Sequence, residues 1–118
     1  TFWGGVLAYD NAAKVTLLGV APETIERHGA VSEEVATAMA AAVRARSGTE
    51  VGVAVTGIAG PAGGTPDKPV GTVCLAVSAP DGERALRRHL PGDRAQVRSR
   101  AAQAALDLVR RTLLHAAE

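Results

Sequence analysis

Apolar residues recur with two different periods along this chain of 118 residues, and each change of period marks an element. In "SEEVATAMAAAVRARSG", Val35, Met39, Ala42 and Val43 stand at i, i+4, i+7 and i+8, which predicts one apolar helix face. Ser32 is a good N-cap for it, Glu33 and Glu34 suit its positive start, and Arg44 and Arg46 suit its end. "VGVAV" and "VGTVCLAVSA" are continuous apolar runs rich in β-branched residues, which predicts strands buried on both sides. "ERALRRHL" follows the turn signal Asp81-Gly82, so a hairpin is expected, its second strand near the sheet edge where arginines reach water. Pro91-Gly92 breaks that strand. Asp93 then caps a long helix to about Ala116, with Val97, Ala101, Ala104 and Leu108 on one side.

The first third is less periodic. "TFWGGVLAY", Thr1 to Tyr9, reads as a strand, and Asn11 is placed to cap a short helix that Gly19 closes. A second short helix, Pro22 to Arg27, has proline in its first turn and Gly29 just beyond its end. Strands that first alternate with helices and then form a hairpin imply an α/β protein, a three-layer α/β/α sandwich with a mixed β-sheet.

One connection does not fit a plain reading. Thr56 to Pro69 joins two apolar strands with fourteen residues, four of them glycine and three proline. A simple connection needs only about two to six. It leaves the carboxyl end of a strand, where open α/β sheets bind ligands, and its glycines let backbone N–H groups approach an anion. Thr56 and Thr65 add hydroxyl donors. The loop lacks the GK[ST] ending of a phosphate loop and is not G-x-G-x-x-G. Pattern alone leaves a structural turn and a ligand cradle both open.

Composition narrows the class. Hydrophobic residues make up 47% and charged residues 21%, which suits a single domain with a core of Val, Leu and Ala. Net charge is +1, unevenly spread: Thr1 to Glu83 carries five basic against nine acidic residues, Arg84 to Arg111 eight against two. The basic half could attract phosphates or nucleic acid, but it also reads as a solvated helix face. No aromatic platform accompanies the arginines, so nucleic acid is not an expected partner. Cys74, in the run "VCLAV", excludes an intrachain disulfide and reads as a buried structural thiol. No apolar stretch reaches the roughly 18 residues of a membrane span, and a cytoplasmic location with no membrane partner is expected.

Two further constellations could carry chemistry. Tyr9 ends the first predicted strand and Lys14 lies one turn into the next helix, so "DNAA" between them could bring both side chains over one strand end. A lysine beside other polar groups can give up its proton and act as a base, with a tyrosine hydroxyl to relay or stabilise. The bland alternative is an amphipathic tyrosine and a solvated lysine. Arg94 and Arg98 share a face at the start of the last helix and could grip a phosphate, or be solvated charges. His28, His89 and His115 match no zinc spacing, and no serine is placed as a nucleophile.

The blocks "GGVLAYDNAAKVTLLGV", "HGAVSEEVA", "VTGIAGPAGGTPDKPVGTV" and "GDRAQVRSRAAQAAL" resemble, in order, the carboxy-terminal domain of the CinA family of competence/damage-inducible proteins. The resemblance spans nearly the whole chain. It implies a nicotinamide mononucleotide deamidase, which hydrolyses the carboxamide to nicotinic acid mononucleotide and ammonia in bacterial pyridine nucleotide recycling. It implies no cofactor and no metal, a nucleotide substrate and a homo-oligomer. Tyr9 and Lys14 become the implied catalytic groups. Asn11, Thr56, Gly57, Ala59, Gly60, Gly63, Gly64 and Thr65 become the implied substrate lining, with Arg94 first and Arg98 second as the phosphate-binding arginine. Family members carry a Ser-x-Thr-Gly-Gly motif upstream of "GGVLAY", whose serine is the implied nucleophile. The expectation is therefore one domain over residues 1–118, lacking its N-terminal segment. The alternative is a non-catalytic nucleotide-binding or interaction module of the competence and DNA-damage response.

Overall fold

A computed structural model describes residues 2–117. The order is α1 (Asn11–Leu18), α2 (Pro22–His28), α3 (Glu33–Ser47), β1 (Gly52–Gly57), β2 (Thr72–Ala79), β3 (Gly82–His89) and α4 (Arg94–Ala117). The three strands form one sheet in the order β1-β2-β3, both pairs antiparallel.

The α/β class and the three layers stand. Alternation along β2 explains the layering, because successive side chains point to opposite faces. Cys74 and Ala76 join Ala54, Val35, Ala36, Met39 and Ala40 under α3. Val73, Leu75 and Val77 join Val97, Ala101, Ala105 and Leu108 under α4. All eight residues of β2 are buried, as its unbroken apolar run required. On the first face, a Cβ on Gly52 would run into the Ala40 carbonyl, so α3 can lie directly on β1 only because that residue is glycine.

Local chemistry sets the helix ends. Ser32 Oγ accepts from the Val35 N–H at 3.2 Å, the N-cap expected for α3. Asp93 and Gln96 cap α4 reciprocally: the Gln96 N–H donates to Asp93 Oδ1 and the Asp93 N–H to Gln96 Oε1, each at 2.9 Å. For α1 the cap is Asp10 and not Asn11. Asp10 is the extended residue, and its carboxylate accepts from the Ala12 N–H, while Asn11 is already helical.

Four other expectations are corrected. Phe2 to Tyr9 forms no strand, and Thr1 lies outside the described residues. A strand exists only through a ladder partner, and nothing in the described sheet pairs with this arm. The sheet of the described residues is antiparallel and not mixed. The "VGVAV" strand is buried on one face only: Gly52, Ala54 and Thr56 are covered, while Val53 and Val55 remain 39% and 37% exposed. β1 is an edge strand, and α4 reaches only part of its outer face. The hairpin bend is Pro80-Asp81, since Gly82 already pairs with Ala79.

The open flank of β1 has a measurable consequence. A chain extended at its amino end by the family's Ser-x-Thr-Gly-Gly segment is expected to melt at a higher temperature, because added polypeptide can cover Val53 and Val55. Burying apolar surface is worth roughly 25 cal/mol per Å². Equal midpoints for the two chains would show that this flank needs no cover.

Candidate functional site

The glycine loop begins where β1 ends. Its neck is closed by two backbone bonds: the Ile58 N–H donates to the Thr72 carbonyl at 2.9 Å, and the Gly71 N–H to the Ile58 carbonyl at 2.7 Å. Between these points the loop folds on itself. The Thr65 N–H donates to the Lys68 carbonyl, and the Lys68 N–H returns a bond to Thr65 Oγ1 at 3.0 Å. Gly60 and Gly64 both have φ of 86°. A Cβ at Gly60 would lie 2.6 Å from Val70 Cγ1, and one at Gly64 2.8 Å from the Val70 nitrogen. These two glycines are thus required by close packing on Val70, whatever the loop binds.

Side chains fasten this loop to both layers. Thr56 is buried, and its hydroxyl donates to the Ala30 carbonyl at 2.9 Å. Arg94, in the first turn of α4, donates from Nη1 to the Gly60 carbonyl at 2.9 Å. Lys68 Nζ donates to the His28 carbonyl at 2.6 Å. Arg87 on β3 donates to the Asp67 carbonyl. Gly57, Gly63, Gly64 and Thr65 are exposed, and Ala59 is half-buried against the α4 core. The tip is therefore exposed while its base is held.

Lys14, an expected catalytic group, lies in α1. Its side chain is 6% exposed, unusual for a lysine, and Nζ donates to the Ala8 carbonyl at 3.2 Å. Burial pushes its pKa below the ordinary lysine value, because a charged ammonium is disfavoured away from water. The negative charge of Asp10 works in the opposite sense and is the smaller effect. Tyr9 is not brought onto it: its side chain is 85% exposed, and the lysine's bond goes to the backbone. The shared strand end that would have gathered the two does not form. Asn11 is exposed at the start of α1, and Arg98 is exposed one turn beyond Arg94.

Sequence reasoning passed over Lys68 and Arg87. With His28, Ser32, Glu34 and Cys74 they line a concavity of about 200 Å³ between the loop, the α2–α3 connection and the sheet. The signal was present: Lys68 is the only cation in the loop. Cys74 is buried here as expected, and burial raises its thiol pKa. A larger concavity, about 580 Å³, lies at the hairpin end of the sheet, lined by Arg44, Thr49, Ser78 and Glu83 among others. It contains none of the expected site residues. Among the described residues, no group of three or more His, Cys, Asp and Glu could hold a metal ion. No helix among them is long and apolar enough to cross a membrane.

The family model of the CinA C-terminal domain matches residues 1–113. The chain belongs to this family. It is 59% identical over 111 residues to a CinA-like protein of Gemmatimonas aurantiaca, covering 94% of this chain and 26% of that protein. A CinA-like protein of Mycobacterium tuberculosis is 55% identical over 111 residues, covering 93% and 26%. The chain thus spans about a quarter of the length of these CinA relatives. Among solved structures, competence damage-inducible protein A of Klebsiella pneumoniae superposes with a TM-score of 0.87 at 33% identity, covering 92% of this chain and 67% of that one. The competence or damage-inducible protein of Enterobacter asburiae gives 0.84 at 35% identity, covering 89% and 66%. The CinA fold is therefore the fold of this chain.

Proposed function

We propose that this CinA domain hydrolyses the carboxamide of nicotinamide mononucleotide, releasing ammonia and nicotinic acid mononucleotide. The observation that carries the reading is Lys14, a buried amine pushed toward neutrality at the junction of the arm and α1. A lowered pKa makes the neutral, proton-accepting form of the amine more accessible than it is in a surface lysine. Lys14 Nζ takes the proton of the serine hydroxyl supplied by the family's upstream segment. The serine oxygen attacks the carboxamide carbon, and backbone N–H groups stabilise the tetrahedral oxyanion. Lys14 returns that proton to the amide nitrogen, so the C–N bond breaks with ammonia leaving. Water then attacks the acyl ester, giving one proton to Lys14, which passes it to the serine oxygen as the acid is released. The glycine loop holds the nucleotide, with the phosphate toward Arg94.

Ammonia release from nicotinamide mononucleotide, measured with and without the upstream segment, tests this. Release only from the extended chain fits the serine route. No release from either leaves the alternative, a nucleotide-binding module without catalysis. The exposed Tyr9, unattached to Lys14, is the observation that favours the alternative.

Arg94 provides a separate check. One guanidinium nitrogen is engaged by Gly60, and a guanidinium has five N–H donors in all. Arg94→Ala is expected to weaken binding of nicotinamide mononucleotide about tenfold more than binding of the riboside, since only the former has a phosphate to lose. Calorimetric titration of both ligands gives the comparison. Equal losses would mean that Arg94 serves the loop alone, with Arg98 the next to test.

A further inference from the structure

Three consecutive carbonyls in the α2–α3 connection each receive a side-chain bond. The His28 carbonyl accepts from Lys68 Nζ, the Gly29 carbonyl from Ser32 Oγ at 2.8 Å, and the Ala30 carbonyl from Thr56 Oγ1. One bond therefore comes from the glycine loop, one from the α3 cap, and one from the end of β1. The connection is a common anchor for all three elements.

Lys68 is the member of this set that reaches farthest. It sits 40 residues along the chain from His28, on a loop whose other side chains are short, cyclic or absent. His28 is the last residue of α2, where carbonyls have no intrahelical partner, so an ammonium there meets an acceptor that needs a donor. The backbone is shaped to admit it. Gly29 has φ of 83°, and a Cβ on it would stand 3.0 Å from Lys68 Nζ. Glu33 and Glu34 line the same concavity and favour a cation in it. On the loop side, the Thr65–Lys68 turn joins the lysine's backbone to the exposed tip by two bonds.

From this geometry we propose that Lys68 is a positioning residue: its ammonium clamps the glycine loop to the α2–α3 connection and holds the tip amides in their ligand-binding arrangement. Arg94 holds the same loop from the α4 layer, so the loop is braced across both faces of the sheet. The proposal rests on the reading of this loop as the nucleotide cradle.

Lys68→Met keeps the aliphatic stem and removes the donor, and Lys68→Arg keeps a donor of similar reach. Two readouts are needed: hydrogen exchange of the bonded loop amides of Thr65 and Lys68 against those of β2, and KM and kcat for nicotinamide mononucleotide in the serine-bearing chain. With Lys68→Met, loop exchange is expected to rise about tenfold or more while β2 stays protected, because a bond to a charged donor is lost locally. KM is expected to rise by a similar factor with kcat within a few-fold, the mark of lost uniform binding. Lys68→Arg should restore most of both. Unchanged loop exchange would overturn the clamp. Faster exchange with unchanged KM would overturn its positioning role and remove the loop from nucleotide recognition. If the parent chain shows no turnover, the deamidase reading falls by that result, and calorimetric binding of the mononucleotide replaces KM as the second readout. If Lys68→Met does not fold, Lys68→Gln carries the same comparison.

Discussion

Replacing Lys14 by alanine in the serine-bearing chain is expected to slow ammonia release by on the order of 10²–10⁴, the usual cost of losing a general base. The folded state should survive, since the change removes a buried amine that donates to the Ala8 carbonyl, a contact at the end of the arm and outside the sheet. The pH dependence gives a second, independent reading. With its pKa lowered from 10.5 by burial, Lys14 becomes neutral at a lower pH than a free lysine, and kcat/KM should rise through that lowered value. Stability should move in the same direction. Between the lowered folded pKa and 10.5 the unfolded chain binds more protons than the folded one, so stability rises with pH in that window. Below it the amine is charged in both states and the burial penalty is at full size. Lys14→Met should remove this rise. Near-normal kcat in the alanine variant would take Lys14 out of the mechanism, and an unaltered pH–stability slope in Lys14→Met would show that its burial is of no consequence.

Gly60→Val is expected to destabilise the fold by about 2–5 kcal/mol before any ligand is considered. Two costs combine. A φ of 86° penalises a side chain by roughly 1–2 kcal/mol, and forcing atoms into a packed contact adds roughly 1–3 kcal/mol. The contact is specific: Val70 Cγ1 stands 2.6 Å from where the new Cβ would be. Val70→Ala should therefore recover part of the loss when combined with Gly60→Val, while the φ penalty remains. Urea unfolding of the single and double variants measures the coupling. Full additivity would mean that Val70 is not the obstacle and that the glycine serves the ligand instead. A weaker nucleotide affinity in Gly60→Val has to be read against this loss of stability.

Much of the candidate site was legible from residue types and spacing. Fourteen residues with four glycines and three prolines at the end of an apolar strand marked the loop. "DNAAK" placed Lys14 one turn into a helix beside Tyr9. What the pattern could not reveal was which partner each group would find. Arg94 has the chemistry of a phosphate ligand, yet its guanidinium donates to the Gly60 carbonyl, 34 residues away. Lys68 was passed over because its partner, the His28 carbonyl, is a backbone group that any residue could have supplied. Tyr9 and Lys14 were expected together, and only Lys14 is buried.

The sequence by itself determined the elements whose information is local. Helices α3 and α4, with their caps and apolar faces, follow from a period of 3.6 and from Ser32 and Asp93, and β2 follows from an unbroken apolar run. The turn after it follows from residues that suit a tight bend. Strand pairing is a different kind of fact. Phe2 to Tyr9 and Val53 to Thr56 have similar patterns, yet only the second is a strand, because a ladder needs a neighbour that lies elsewhere in the chain. The same non-locality left Val53 and Val55 half-exposed, made the sheet antiparallel, and buried a lysine that sequence alone would place in water. Periodicity sets which face of an element is apolar; only assembly decides what covers that face.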